Sequence, residues 1–132
     1  MRPAVRHATH VRKRSEFERI QSSGSRVNTD RFVLILARGT DAPPRARLGI
    51  TASRRIGNAV ARSRAKRLVR EAFRLTSDLF PPGLDLVVIV RRPLGDVKLQ
   101  AVVEEWRSAA STIRRKAAPL LAEPATGTKV TP

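Results

Sequence analysis

The segment from Asn58 to Arg74 limits the folds open to this chain more than any other. On a helical wheel of about 100° per residue, Val60, Ala61, Ala65, Leu68, Val69, Ala72 and Phe73 gather on one side. Lys66, Arg67, Arg70 and Arg74 gather on the other, and Arg62 and Arg64, grouped with them as one basic side, fall at its two borders. A helix divided in this way has to lay its apolar side on another element and hold its basic side away from the core. Gly57 and Asn58 open it, with Asn58 as the N-cap. The chain must therefore provide a packing surface for this helix.

The flanking sequence supplies one. Arg31-Phe-Val-Leu-Ile-Leu-Ala-Arg38 is rich in branched and aromatic residues and predicts a strand. Asp41-Ala-Pro-Pro44 predicts a turn, after which Arg47-Leu-Gly-Ile-Thr-Ala-Ser53 is expected to pair back as the second arm of a hairpin. Asp85-Leu-Val-Val-Ile-Val-Arg91 is apolar throughout, which predicts a central strand covered on both faces. Ser15 and Glu18 form an S-x-x-E capping box for a first helix ending near Ser22, with Gly24 as its stop. Asp96 is placed to cap a last helix whose buried stripe is Leu99, Val102, Val103, Trp106, Ala109, Ala110 and Ile113, and Pro119 is expected to stop it. A helix linking two strands suggests a β-α-β unit in a small α+β sandwich. Residues 1–14 are expected to be a flexible basic arm, residues 15–116 a single α+β domain, and residues 117–132 a disordered tail.

Charge indicates what such a domain meets. The chain carries 27 Lys and Arg against 11 Asp and Glu, a formal charge of +16. Ten of the basic residues and one acid, Glu71, lie between Arg45 and Arg74. Nucleic acid and an anionic membrane are the polyanions that fit. No apolar run is long enough to span a bilayer, Leu86 to Val90 being five residues and Phe32 to Ala37 six. The basic N-terminus is followed by no apolar core or cleavage site of a secretory signal, so a cytoplasmic location is expected.

Protein-borne catalysis finds little support. Cys is absent, which removes disulfides and thiolate metal sites. His7 and His10 sit in the arm with no third ligand near, and no Ser–His–Asp arrangement is available. The acids are scattered, and the adjacent Glu104 and Glu105 face different directions on a helix. A nuclease built on clustered carboxylates and metal is therefore unsupported. The residues describe a binder. Arg presents a planar fork to phosphate oxygens and Lys a mobile point charge. A solvated helix face explains most charge runs, but here the face has almost no compensating acid. Few Asn or Gln stand among the basic residues to read bases, which points to backbone and shape recognition of structured RNA rather than DNA.

The run Arg47-Leu-Gly-Ile-Thr-Ala-Ser-Arg-Arg-Ile-Gly-Asn-Ala-Val-Ala-Arg-Ser-Arg-Ala-Lys-Arg-Leu-Val-Arg-Glu-Ala-Phe73 resembles the signature of the bacterial ribonuclease P protein component. The Ser-Glu-Phe helix, the Arg-Phe-Val-Leu strand and the Asp-Leu-Val-Val-Ile strand extend the resemblance over roughly residues 12–115. It implies a mixed sheet of about four strands with three helices and a left-handed β-α-β crossover. It implies a division of labour in which the RNA subunit of ribonuclease P, using Mg²⁺, removes the 5′ leader of precursor tRNA, while the protein carries no catalytic residue and no small-molecule cofactor. By position, the resemblance assigns contact with that RNA to Arg54, Arg55, Arg62, Ser63, Arg64, Lys66, Arg67 and Arg70. Ser63 stands where the family has Asn, and lacks the amide's paired donor and acceptor. The leader would lie in a cleft at Phe17, Val33 and Ile35. Gln21 and Ile35 replace family aromatics there, so stacking on leader bases is expected to be weaker, and Phe17 is as readily explained by packing on the sheet. Phe32 and Leu34 point to the opposite face, as core. A ribosomal or other structural RNA-binding protein on the same fold is the alternative.

Overall fold

A computed structural model describes residue 11 and residues 14–39 and 46–122. The sheet has four strands, β1 (Ser25–Asn28), β2 (Phe32–Arg38), β3 (Arg47–Thr51) and β4 (Leu84–Val90), in the order β1-β2-β4-β3. The α-helices are α1 (Arg14–Ser23), α2 (Ala59–Leu75), α3 (Leu99–Ser108) and α4 (Ala110–Ala122). β4 pairs antiparallel with β2 and parallel with β3, so β3–α2–β4 is the expected β-α-β unit in a mixed sheet.

β4 is central, as its apolar run requires, and this overturns the predicted hairpin. β2 and β3 are not neighbours, because β4 lies between them. A strand apolar on both faces gains most by pairing on both sides. β1, which the sequence reading did not identify, forms the hairpin with β2 instead.

The two faces of the sheet are unequally covered. Phe32, Leu34 and Leu36 of β2, with Leu86, Val88 and Val90 of β4, face Ala65, Val69, Ala72, Val102, Trp106, Ile113 and Ala117 of α2, α3 and α4. Trp106 lies edge-on between Phe32 and Phe80, with ring centroids 5.8 and 5.9 Å away. Burying a ring of this kind stabilises by about 1.5–3 kcal/mol. Its indole N–H is buried without a hydrogen-bond acceptor among the described residues. The opposite face has a smaller cluster of Val11, Ile20, Ile35, Ala37 and Val87, covered by α1.

Several local expectations are corrected. Ser15 lies inside α1, which starts at Arg14, and Glu18 accepts from Arg14 Nε at 3.1 Å instead of closing a capping box. Val11 is buried and its N–H donates to Leu48 O at 2.9 Å, so the folded part begins within the expected arm. α3 is capped at Lys98, not Asp96, because Val97 N–H closes a turn on Leu94 O and postpones the helix. The last helix is two helices, divided at Ala109, and Pro119 does not end the second. Leu120 and Leu121 beyond it pack on the core, and that burial outweighs the one backbone bond Pro removes. The domain therefore runs past residue 116. The rest of the expected arm, the 41–44 turn and residues 123–132 lie outside the described residues. Among the described residues no helix is long and apolar enough to cross a membrane.

Candidate nucleic-acid interface

The approach to α2 is stiffened residue by residue. Ser53 Oγ accepts from Arg55 N–H at 3.3 Å and caps a short 3₁₀ turn, Arg54–Ile56, whose Ile56 is buried. Gly57 follows with φ of +140°, where a side chain would be strained and a Cβ would stand 2.8 Å from that of Ala61. Asn58 then caps α2 as expected, its Oδ1 accepting from Ala61 N–H at 2.9 Å. Ala65, Val69 and Ala72 fasten the helix to the core. Val60, placed on the apolar side by the wheel, is 77% exposed.

The basic side of α2 divides into two sets. Arg54, Arg55, Arg67 and Arg70 are exposed and Lys66 is half-buried; none has a hydrogen-bond or ion-pair partner for its side chain among the described residues. Ser63 is exposed between them. Arg62 and Arg64 are half-buried and engaged within the protein. Arg62 donates to Gly57 O at 3.0 Å. Arg64 donates to Gly95 O and Val97 O, both at 2.7 Å, and so ties α2 to the loop before α3. The sequence reading grouped these arginines with the free ones; the loop that takes Arg64 is 31 to 33 residues away along the chain. Arg74 closes the helix on Glu71 at 2.7 Å, and that carboxylate raises the arginine's pKa.

The predicted cleft residues are gathered on the α1 face, but they are not equivalent. Ile35 is fully buried beneath α1 and has no surface to offer a ligand. Phe17 is half-buried, and its ring lies over Gly49, where a Cβ would stand 2.8 Å from two ring carbons. Glycine at 49 is thus what lets α1 settle on β3. Val33 remains half-exposed. Register places Asn28, Val33, Ile89 and Thr51 in one row across all four strands, just beyond the part α1 covers. The sequence alone does not place Asn28, Ile89 and Thr51 beside Val33, because the row exists only through strand pairing. β4 is apolar throughout, so no alternation in its sequence marks Ile89 out.

α1 is held on this face by a buried ionic cluster. Asp85, fully buried on β4, accepts from Arg47 Nε and Nη2, each at 2.8 Å, and from Arg19 Nη2 of α1 at 2.8 Å. Arg47 also reaches Glu16 of α1 at 3.3 Å. The hydrogen bonds that Arg47 donates to the Asp85 carboxylate hold the arginine's pKa above the usual range, against the opposing effect of burial. Among the described residues no group of three or more His, Cys, Asp or Glu is placed to hold a metal ion.

This arrangement of strands, cationic helix and half-open sheet face has known counterparts. The Ribonuclease P family model matches residues 5–114. The ribonuclease P protein component of Brevibacillus brevis is 41% identical over 98 residues, covering 73% of this chain and 76% of that protein. That of Syntrophus aciditrophicus is 36% identical over 102 residues, covering 76% and 83%. Among solved structures, a mutant ribonuclease P protein of Staphylococcus aureus superposes with a TM-score of 0.74 at 26% identity, covering 86% of this chain and 94% of that one. The ribonuclease P protein of Thermotoga maritima superposes with a TM-score of 0.68 at 31% identity, covering 78% and 96%. By the extent of these matches, the chain belongs to the ribonuclease P protein component family.

Proposed function

We propose that this chain is the protein subunit of a ribonuclease P holoenzyme, an endoribonuclease that removes the 5′ leader of precursor tRNA. The ribonuclease P RNA is its partner and does the chemistry, with Mg²⁺ bound mainly by that RNA. The observation that carries this reading is the solvent-facing set Arg54, Arg55, Lys66, Arg67 and Arg70, which no acid of the described residues neutralises. Like charges at Arg62, Lys66 and Arg70, four residues apart, cost an isolated helix about 0.2–0.5 kcal/mol per pair. A phosphate backbone relieves that repulsion and releases its own counterions. Arg62 and Arg64 brace this surface, and Ser63 lies within it.

The single-stranded leader is assigned to the open row Asn28–Val33–Ile89–Thr51, beside Phe17. Ile35 lies in the neighbouring row of the same face, buried under α1, and borders that floor. With no second aromatic there, contact with leader bases is mainly aliphatic and less base-selective than stacking on rings. Holding leader and RNA core together favours cleavage by positioning, without a catalytic side chain. The test is cleavage of a precursor tRNA by a bacterial ribonuclease P RNA at low Mg²⁺, with and without the purified chain. The chain is expected to raise the rate; the absence of any rise with a matching RNA refutes the reading.

A further inference from the structure

A second cationic surface lies at the opposite edge of the sheet from β3 and α2. An open groove of about 670 Å³ runs between the outer edge of β1 and helix α4, with Arg26, Arg115 and Lys116 among its lining residues. Two acids also line it, and both are already engaged. Glu105 accepts from the Thr29 hydroxyl, from Arg31 N–H at 2.7 Å and from the Arg31 guanidinium at 2.6 Å. Asp30 faces Arg92 at 3.3 Å. α4 itself contains no acidic residue. Arg26 and Arg115 are exposed with no side-chain partner among the described residues, and Lys116 Nζ donates only to Arg26 O, at 2.8 Å.

The strand edge adds neutral donors. In the β1–β2 hairpin, Thr29 N–H bonds Phe32 O, and alternate residues of an antiparallel pair turn their backbone groups outward. The amides of Arg26 and Asn28 therefore face the groove, as the Lys116 contact to Arg26 O confirms for that residue. Backbone N–H groups beside Arg and Lys are the usual means of gripping phosphate oxygens without reading bases. A lysine lying on the strand edge disfavours addition of another β-strand there.

We propose that this groove is a second contact for RNA phosphates, so that the protein holds two separate stretches of ribose-phosphate backbone, one on α2 and one between β1 and α4. β1 and β3 are the outer strands of the sheet, about 14 Å apart at the usual inter-strand spacing, and α3 packs between α2 and α4. The surfaces are thus on opposite flanks of the molecule. The inference rests on the reading of α2 as an RNA-binding surface, and one experiment separates the two.

The full chain is assembled with a ribonuclease P RNA and a precursor tRNA, and backbone protection is mapped by hydroxyl-radical footprinting alongside a salt titration of affinity. Arg26→Glu/Arg115→Glu is expected to lose one protected segment and retain the segment that Arg67→Glu/Arg70→Glu loses. Its affinity should fall about tenfold near physiological salt, and its log–log salt slope should shrink by about 1.5 to 2. Circular dichroism and melting establish that each variant is folded. Should the charge reversals fail to fold, Arg26→Gln/Arg115→Gln must show the same loss of slope. A groove variant matching the wild type in both footprint and slope, while the α2 variant is impaired, overturns the second contact alone. Normal binding by the α2 variant overturns the parent reading.

Discussion

Arg47 and Arg70 belong to the same basic run, and the fold puts them in opposite surroundings. Arg47 is buried, doubly bonded to Asp85 and in reach of Glu16. Arg70 stands in solvent with no partner among the described residues. Arg64 is intermediate, its guanidinium on two loop carbonyls. The comparison teaches that a charge run holds residues of different purpose. Arginines that meet carboxylates or carbonyls hold the domain together, and the remainder is available to a polyanion. Removing one of each kind should separate stability from affinity.

The largest effect on folding is expected at Asp85. Asp85→Ala leaves Arg47 buried without its main partner and should cost about 3–5 kcal/mol in chemical denaturation, while the salt slope of RNA binding by the folded fraction stays unchanged. Replacing both members, as Arg47→Met/Asp85→Leu, should recover most of that loss, because the cost comes from the orphaned charge rather than from the missing pair. If the double variant is no better than the single, Arg47 has a role beyond the pair.

Next in size is Arg64→Ala, which removes two charge-assisted bonds from a half-buried site and should lower stability by about 1–2 kcal/mol. It should weaken RNA binding too, through a loosened α2. Arg64→Lys, which keeps the charge but cannot span two carbonyls in the same way, should restore the salt slope more fully than the stability.

Arg67→Ala and Arg70→Ala should behave in the opposite manner. Each is expected to change stability by no more than about 0.5 kcal/mol. Each should nevertheless weaken RNA affinity by about 1–3 kcal/mol and reduce the salt slope by about 1. A marked loss of stability in either variant would erase the distinction drawn from Arg47.

The smallest effect is at the exposed pair Asp78–Arg107, 2.7 Å apart. Arg107's hydrogen bond holds the Asp78 pKa below its ordinary value. A carboxylate with a lowered folded-state pKa stabilises the fold above its unfolded-state pKa, and that contribution is lost as pH falls through the folded one. Asp78→Asn should remove this small component from the acid limb of a stability–pH profile and leave neutral-pH RNA binding alone.

The sequence was most informative where a feature depends on neighbours in the chain. The amphipathic period of α2, the Asn58 cap and the central character of β4 each follow from a few adjacent residues, and each is present. The hairpin, the Asp96 cap and the stop at Pro119 were misread, because strand order and the packing of Leu94, Leu120 and Leu121 on the core overrode the local signal. Of the residues predicted to line a cleft, Phe17 and Val33 are half-exposed on the α1 face, Ile35 is buried on that same face under α1, and Asn28, Thr51 and Ile89 join the row of Val33 only through register.

By itself the sequence determined that this is a basic α+β domain with one sharply divided helix, because periodicity and net charge are properties of consecutive residues. Only the tertiary structure decided which cations are left over. The partners that engage Arg47, Arg64 and Arg31 come from 38, 33 and 74 residues away, across strands and loops whose juxtaposition no local pattern encodes. The same cause hid the groove beside α4. Arg26, Arg115 and Lys116 come together there only in the folded chain, where the two acids lining the groove, Glu105 and Asp30, are engaged by Arg31 and Arg92.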